Sequence, residues 1–137
     1  MMLMVYLLVM EKIVLNYRNP KTFRIIPRRD LFFLKEHYDK LRDFILLSLV
    51  DQSYLSLSEL MDKAQELDPR EFTTDNIIVP LLLVKSDLEA RGVIKVSFEV
   101  NHTQRIEIKN KNLLFQLRNN SCVVAIAIIY FFKPINS

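Results

Sequence analysis

Apolar residues recur every three or four positions between Asp30 and Asp51, which is the spacing of a helix that buries one face. Asp30 can cap the first turn of this helix, because its side-chain oxygen can accept a backbone N–H that the turn leaves free. Further apolar residues widen the face in the second half, so we expect the helix to lie deep in the core. The stripe consists of Leu34, Tyr38, Leu41, Ile45 and Leu49.

Two local signals predict where a second helix begins and ends. Ser56 and Glu59 have the Ser-x-x-Glu spacing of a capping box, in which each side chain accepts a backbone N–H of the first turn. A proline disfavours helical geometry in the residue before it, so the pair Asp68 and Pro69 ends the helix. The buried stripe between these signals is Leu57, Leu60, Met61, Ala64 and Leu67.

A third helix is predicted to start between Thr74 and Val79 and to run to Arg91. Pro80 in a helix interior would cost roughly 3 kcal/mol, so the helix either begins near Val79, with Pro80 in its first turn, or is kinked. Gly92, the only glycine of the chain, stands where a left-handed residue commonly closes a helix.

After Gly92 the apolar period changes from helical to two, which predicts a β-hairpin. Asn101 and His102 offer the tight turn between its strands. The apolar positions are Val96, Phe98 and Val100 in the first strand, and Ile106 and Ile108 in the second.

Both ends of the chain carry apolar segments that are too short to span a bilayer, which takes roughly 20 residues. Residues 1–10 are interpreted as an extra strand or as residues upstream of a natural start at Met10. Residues 11–17 and 22–26 are β-prone and predict a hairpin or an extended arm. Pro27 is predicted to end the second of these two runs. Residues 123–132 are interpreted as a buried strand or an adhesive tail.

Three helices followed directly by a hairpin are the element order of a winged helix-turn-helix, in which the hairpin is the wing. Residues 84–94 (VKSDLEARGVI), followed by residues 104–106 (QRI), resemble the third helix and wing of small bacterial winged-helix proteins and of winged regulators generally. The resemblance implies an α+β fold and, loosely, DNA association. Winged helices also serve as protein-binding modules, so the fold does not settle the function.

The resemblance also predicts the domain organisation. Residues 30–110 are expected to form the winged-helix domain, and residues 1–29 an N-terminal strand or arm. Residues 111–137 are expected to be an apolar C-terminal extension that packs on the same domain. No internal repeat or glycine-rich linker indicates a second domain.

The net charge of +3 conceals three segments of alternating sign. Residues 1–35 hold seven basic and two acidic residues, residues 36–92 hold six and twelve, and residues 93–137 hold six and two. The middle segment repels phosphate, so attraction to nucleic acid would have to come from the arm and the C-terminal third. The alternative interpretation is that these are ordinary solubilising charges.

In a DNA-binding winged helix the third helix lies in the major groove. Here that helix offers only Lys85 and Arg91 as cations, against Asp75, Asp87 and Glu89, so we expect sparse base contacts from it. The predicted contacts to double-stranded DNA lie mainly in the wing and the arm. The candidate residues are Lys95, Arg105, Lys109 and Lys111, with Arg24, Arg28 and Arg29 of the arm and Lys85 of the third helix.

The third helix has apolar residues on two nearly opposite stripes, which suggests a different class of function. A helix that is apolar on both sides is expected to be covered on both sides. The alternative hypothesis is therefore a protein-interaction or homodimerisation module, unless the terminal apolar segments cover the second stripe within one chain. That stripe consists of Val79, Leu83, Ser86 and Ala90.

No catalytic, nucleotide or metal-binding motif occurs in the sequence, so we expect a non-catalytic protein with no cofactor and no small-molecule substrate. Two histidines, His37 and His102, and one cysteine fall short of a four-ligand zinc site. His37 is interpreted as part of a solvated charged face rather than as a general base. The single thiol of Cys122 cannot form an internal disulfide, which is typical of a cytoplasmic protein.

Overall fold

The computed structural model describes residues 11–31, 33–50, 52–72, 75–110 and 112. Within them the chain folds into three α-helices and two small antiparallel sheets, so the predicted α+β class is confirmed. The terminal apolar segments at residues 1–10 and 123–132 lie outside the described residues. The elements in chain order are β1 (Leu15–Arg18), β2 (Ile25–Arg28), α1 (Lys35–Val50), β3 (Leu55–Ser56), α2 (Leu57–Ala64), a 3-10 helix (Pro69–Phe72), α3 (Ile78–Ala90), β4 (Ile94–Phe98) and β5 (Gln104–Ile108).

Strands β1 and β2 pair antiparallel and form a hairpin, which we call the arm hairpin (residues 15–28). The prediction that Pro27 ends the second strand is wrong, because Pro27 lies inside β2, opposite Asn16. Within the described chain β2 has only β1 as a neighbour. An edge strand tolerates proline, because its outer N–H groups need no partner strand.

Helix α1 begins at Lys35, five residues after the predicted capping residue Asp30, so that prediction is wrong. Leu34, the residue before the helix, forms an antiparallel bridge with Lys12 in the segment of residues 11–13. The N–H of Ile13 donates to the carbonyl oxygen of Phe33 at 3.0 Å, and the N–H of Lys35 donates to that of Glu11 at 2.9 Å. Tertiary pairing of the backbone therefore overrides the local capping signal.

The predicted capping box of α2 is confirmed. The Ser56 Oγ accepts the Glu59 N–H at 3.1 Å, and the Glu59 Oε1 accepts the Ser56 N–H at 3.3 Å. Ser56 is also the last residue of β3, so the same side chain ends a strand and starts a helix.

Helix α3 begins at Ile78, which places Pro80 in its first turn. At this position the helix offers no carbonyl that an N–H could donate to, so the missing N–H of proline removes no hydrogen bond of the helix. Gly92 has a φ of 77° and donates its N–H to the carbonyl oxygen of Glu89 at 3.0 Å. The predicted closure of this helix by a left-handed glycine is confirmed.

The predicted hairpin after Gly92 is also confirmed, and we call it the C-terminal hairpin (residues 94–108). Together with β3, its two strands form a three-stranded sheet in the order β3-β5-β4. Ile106 of β5 lies opposite both Val96 and Leu55. His102 has a φ of 64° in the turn, a conformation that allows the tight reversal. The apolar face of this sheet contributes to the core.

One core joins the arm hairpin, the helices and the three-stranded sheet. Strand β1 packs against α3, and Leu15 is fully buried there. No helix in the described ranges is both long and apolar enough to cross a membrane. The largest fully buried side chains are Phe44, Leu15, Leu41, Ile45, Leu49, Leu55, Leu60, Leu81, Leu88, Ile94, Ile106 and Val84.

Candidate nucleic-acid interface

The turn of the arm hairpin is organised by Asn19. The Asn19 Oδ1 accepts the N–H of Lys21 at 2.8 Å and that of Thr22 at 3.4 Å. The backbone of Asn19 also bonds to both Phe23 and Arg24, with its carbonyl accepting the Phe23 N–H at 2.8 Å and its own N–H donating to the Arg24 carbonyl at 2.9 Å. Asparagine suits this role because its short amide can bond to the backbone that follows it. The turn is therefore compact, and its side chains from residue 20 to residue 24 are exposed.

Positive charge accumulates on the arm hairpin and on Arg29, the residue that follows it. Between residues 15 and 29 the sequence has five basic residues and no acidic one. None of the five forms an ion pair with an acidic residue in the described ranges. The guanidinium of Arg28 lies 5.6 Å from the centroid of the Tyr17 ring. These cations are Arg18, Lys21, Arg24, Arg28 and Arg29.

Two cations of the C-terminal hairpin have an acidic or a close aromatic partner. Lys95 lies on the outer face of the sheet opposite Glu107, with 3.9 Å between the Nζ and the Oε1. The guanidinium carbon of Arg105 lies 3.7 Å from the centroid of the Tyr54 ring. Lys109 is exposed, and the predicted contact Lys111 lies outside the described residues. Residues 94–110 hold three basic and two acidic residues, so this hairpin carries less net positive charge than the arm.

The exposed side of α3 offers no cation. Lys85 is only 7% exposed, and its Nζ donates to the Gln104 Oε1 at 2.8 Å. Burial lowers the pKa of Lys85 below its ordinary value. The ammonium is thus held against the C-terminal hairpin. The α3 residues that are not buried are Ile78, Val79, Leu82, Leu83, Ser86 and Glu89.

The second apolar stripe of α3 is divided by the packing of the chain. Val79 is 56% exposed, whereas Ala90 is buried. Leu83 is half-buried and packs against the core, and Ser86 is half-buried. Among the four residues of the predicted interaction face, only Val79 is largely exposed.

Asp87, counted in the sequence as a repulsive charge on α3, is fully buried instead. Its Oδ1 accepts the Asn16 N–H at 2.8 Å and the Asn16 Nδ2 at 3.1 Å, and its Oδ2 accepts the Tyr38 hydroxyl and the Arg91 Nε. Burial and the bond to Asp87 raise the pKa of Tyr38 above its ordinary value, and the same carboxylate raises the pKa of Arg91. The network joins the arm to α1 and α3. The spacing of Asp87 and Arg91, four residues apart in a helix, was its only sequence signal.

Three further features of the described residues bear on their chemistry, namely possible metal ligands, His37 and an open cleft. No group of three His, Cys, Asp or Glu residues in these ranges is placed to hold a metal ion. The ring of His37 packs edge-on against Phe72, with 5.8 Å between the ring centroids. An open cleft of about 320 Å³ lies beside the arm hairpin and is lined by Tyr17, Ile26, Pro27, Arg28 and Asp30.

No protein-family model, curated protein or solved structure matches this chain.

Proposed function

We propose that this chain is a winged-helix protein of the transcription-regulator type, which associates with double-stranded DNA through phosphate contacts from the arm hairpin and the C-terminal hairpin. The order of three helices followed by a hairpin supports the winged-helix assignment. The pairing of the short strand β3 with β5, the second strand of that hairpin, supports it too. The observation that carries the proposal is the set of five arm cations without an acidic partner in the described chain. Such a surface gains affinity for DNA by releasing the counterions of the phosphates.

The proposed contacts give position on DNA but little base recognition. The exposed side of α3 supplies no arginine or lysine for guanine, and Lys85 is committed to Gln104. The arm and the C-terminal hairpin supply guanidinium and ammonium groups, which bind phosphate oxygens irrespective of sequence. We therefore expect similar affinity for duplexes of unrelated sequence.

The test is the salt dependence of binding by the full chain. Fluorescence anisotropy is measured with several arbitrary DNA duplexes between roughly 50 and 200 mM salt, a range in which phosphate contacts lose most of their strength. The double variant Lys21→Ala plus Arg24→Ala should weaken binding to every duplex equally. It should also reduce the slope of the logarithm of the binding constant against the logarithm of the salt concentration by about the amount that two phosphate contacts contribute.

The double variant Lys63→Ala plus Arg70→Ala is the matched control, because it removes the same net charge outside the proposed interface. It should leave the salt slope unchanged, and Lys85→Ala should have little effect. Arg105→Ala plus Lys109→Ala should resemble the arm variant. Equal losses in the arm variant and the control would reduce the effect to net charge and overturn the proposal, as would a parent that binds no duplex. A sequence-selective loss in Lys85→Ala would instead assign base readout to α3.

A further inference from the structure

Phe23 is an unusual residue for its position in the arm turn. Its φ of 59° lies in the left-handed region, which glycine and asparagine adopt far more readily than a bulky side chain. The side chain is 73% exposed. The turn is held by backbone bonds and by Asn19, none of which involves the ring. A costly conformation and an exposed ring indicate a role beyond the turn itself.

Basic residues lie on both sides of Phe23 along the chain. Lys21 and Arg24 lie within two residues of Phe23, and Arg18 stands opposite Ile25 at the end of the strand pair. An exposed aromatic residue between basic residues in one turn matches a nucleotide strand, in which the flat faces of the bases alternate with phosphates. Binding to a lipid surface would call for a broader apolar face than one ring and one half-exposed isoleucine.

We infer that Phe23 stacks on an unpaired base while Lys21 and Arg24 contact the flanking phosphates. The arm turn then prefers DNA that contains unpaired nucleotides over a perfect duplex. In a perfect duplex the ring can enter only after a base step has been unstacked, whereas an unpaired base offers its face without that cost. This inference rests on the proposed association with DNA and adds the structural class of DNA that is preferred.

Phe98 provides a matched comparison within the same chain. It is 69% exposed, at the end of β4 in the C-terminal hairpin. Its neighbours are Ser97 and Glu99, and it pairs with Gln104. Phe98 is thus an exposed phenylalanine with no basic residue within two positions along the chain, so we expect it to contribute little to stacking on a nucleotide strand.

The experiment compares the full chain on two labelled duplexes of the same sequence, one perfect and one with a central bulge of unpaired thymidines. The parent should bind the bulged duplex more tightly. Phe23→Asn should weaken binding to the bulge by about tenfold, the size expected for loss of one stacked base, and leave the perfect duplex and the salt slope nearly unchanged. Urea unfolding should show equal or greater stability, because asparagine tolerates a positive φ. A purely structural role would instead lower stability.

Phe98→Thr is the control and should change neither affinity by more than about twofold, because it removes no stacked base. Equal binding of both duplexes by the parent, an unaltered bulge affinity in Phe23→Asn, or equal losses in both variants would overturn the inference. If salt-dependent binding to the perfect duplex persists in that case, the proposed function stands alone. A parent that binds neither duplex overturns both. Phe23-dependent binding to anionic phosphatidylserine vesicles, with no binding to DNA, would also overturn the inference and would make a lipid surface the partner of the arm turn.

Discussion

Asn16 in the arm and Asp87 in α3 are 71 positions apart, yet both N–H groups of Asn16, backbone and side chain, donate to one oxygen of the Asp87 carboxylate. The other oxygen accepts the Tyr38 hydroxyl and the Arg91 Nε. All four bonds run toward the carboxylate, which a buried anion requires to offset its loss of hydration. The network fixes the strand that leads into the turn proposed to contact DNA.

Asp87→Asn should lower the free energy of unfolding by about 2–3 kcal/mol, because an amide presents one acceptor and places a donor against existing donors. Tyr38→Phe should cost less, about 1 kcal/mol, since it removes a single donor. Chemical denaturation of both variants measures the two effects. A loss below about 0.5 kcal/mol in Asp87→Asn would show that the carboxylate does not hold the arm.

Gly92→Ala should destabilise the protein by about 1 kcal/mol, because an L-residue is strained at the φ of 77° observed there. The space beside Gly92 is open, so no steric contact adds to this cost. Gly92→Asn should be milder, because asparagine tolerates the left-handed region. Urea melts with equal midpoints for the alanine and asparagine variants would contradict backbone strain as the cause.

Leu60→Ala and Leu88→Ala should each cost roughly 2–5 kcal/mol, because each leaves a cavity at a buried position of a helix. Val79→Ala, at an exposed position of α3, serves as the control and should cost far less. The three free energies of unfolding from urea titrations decide this. Similar values for Leu88→Ala and Val79→Ala would mean that the two faces of α3 are equally covered.

His37 should make stability depend on pH in the acidic range. Burial lowers the pKa of His37 below its ordinary value of 6.5, although neighbouring Glu36 opposes the shift. As the pH falls, His37 in the unfolded chain therefore takes up a proton before His37 in the folded chain does. The stability that neutral His37 contributes is complete above pH 6.5 and is lost as the pH falls through the folded pKa.

His37→Gln should flatten the pH dependence of urea midpoints below pH 6.5, the ordinary pKa from which His37 is shifted. The exposed turn residue His102 supplies the control as His102→Asn, which should keep the parent's dependence. If the parent and His37→Gln lose stability in parallel as the solution is acidified, burial of His37 has no energetic role.

The alternative function, a homodimer through α3, makes a separate prediction at Val79. Val79→Glu places a charge on the largely exposed residue of the predicted face and should separate a dimer into monomers, with little effect on folding. Sedimentation of the parent and the variant measures this. A parent that is already monomeric would remove the dimer hypothesis.

The sequence by itself determined the features that depend on a few neighbouring residues. The capping box of Ser56 and Glu59, the closure of α3 by Gly92 and the period of the C-terminal hairpin follow from local backbone chemistry. The sequence likewise located the basic arm, because charge composition needs no fold to be counted.

Only the tertiary structure decided which polar groups are buried and which cations form no ion pair within the described residues. Asp87 and Lys85 occur among exposed-looking residues of α3, but their partners come from the arm, from α1 and from β5. The start of α1 was set in the same way by pairing with residues 11–13, and the strand position of Pro27 by pairing with β1. Burial and pairing depend on segments that meet only after the chain has folded, so patterns of period and propensity along the chain carry no record of them.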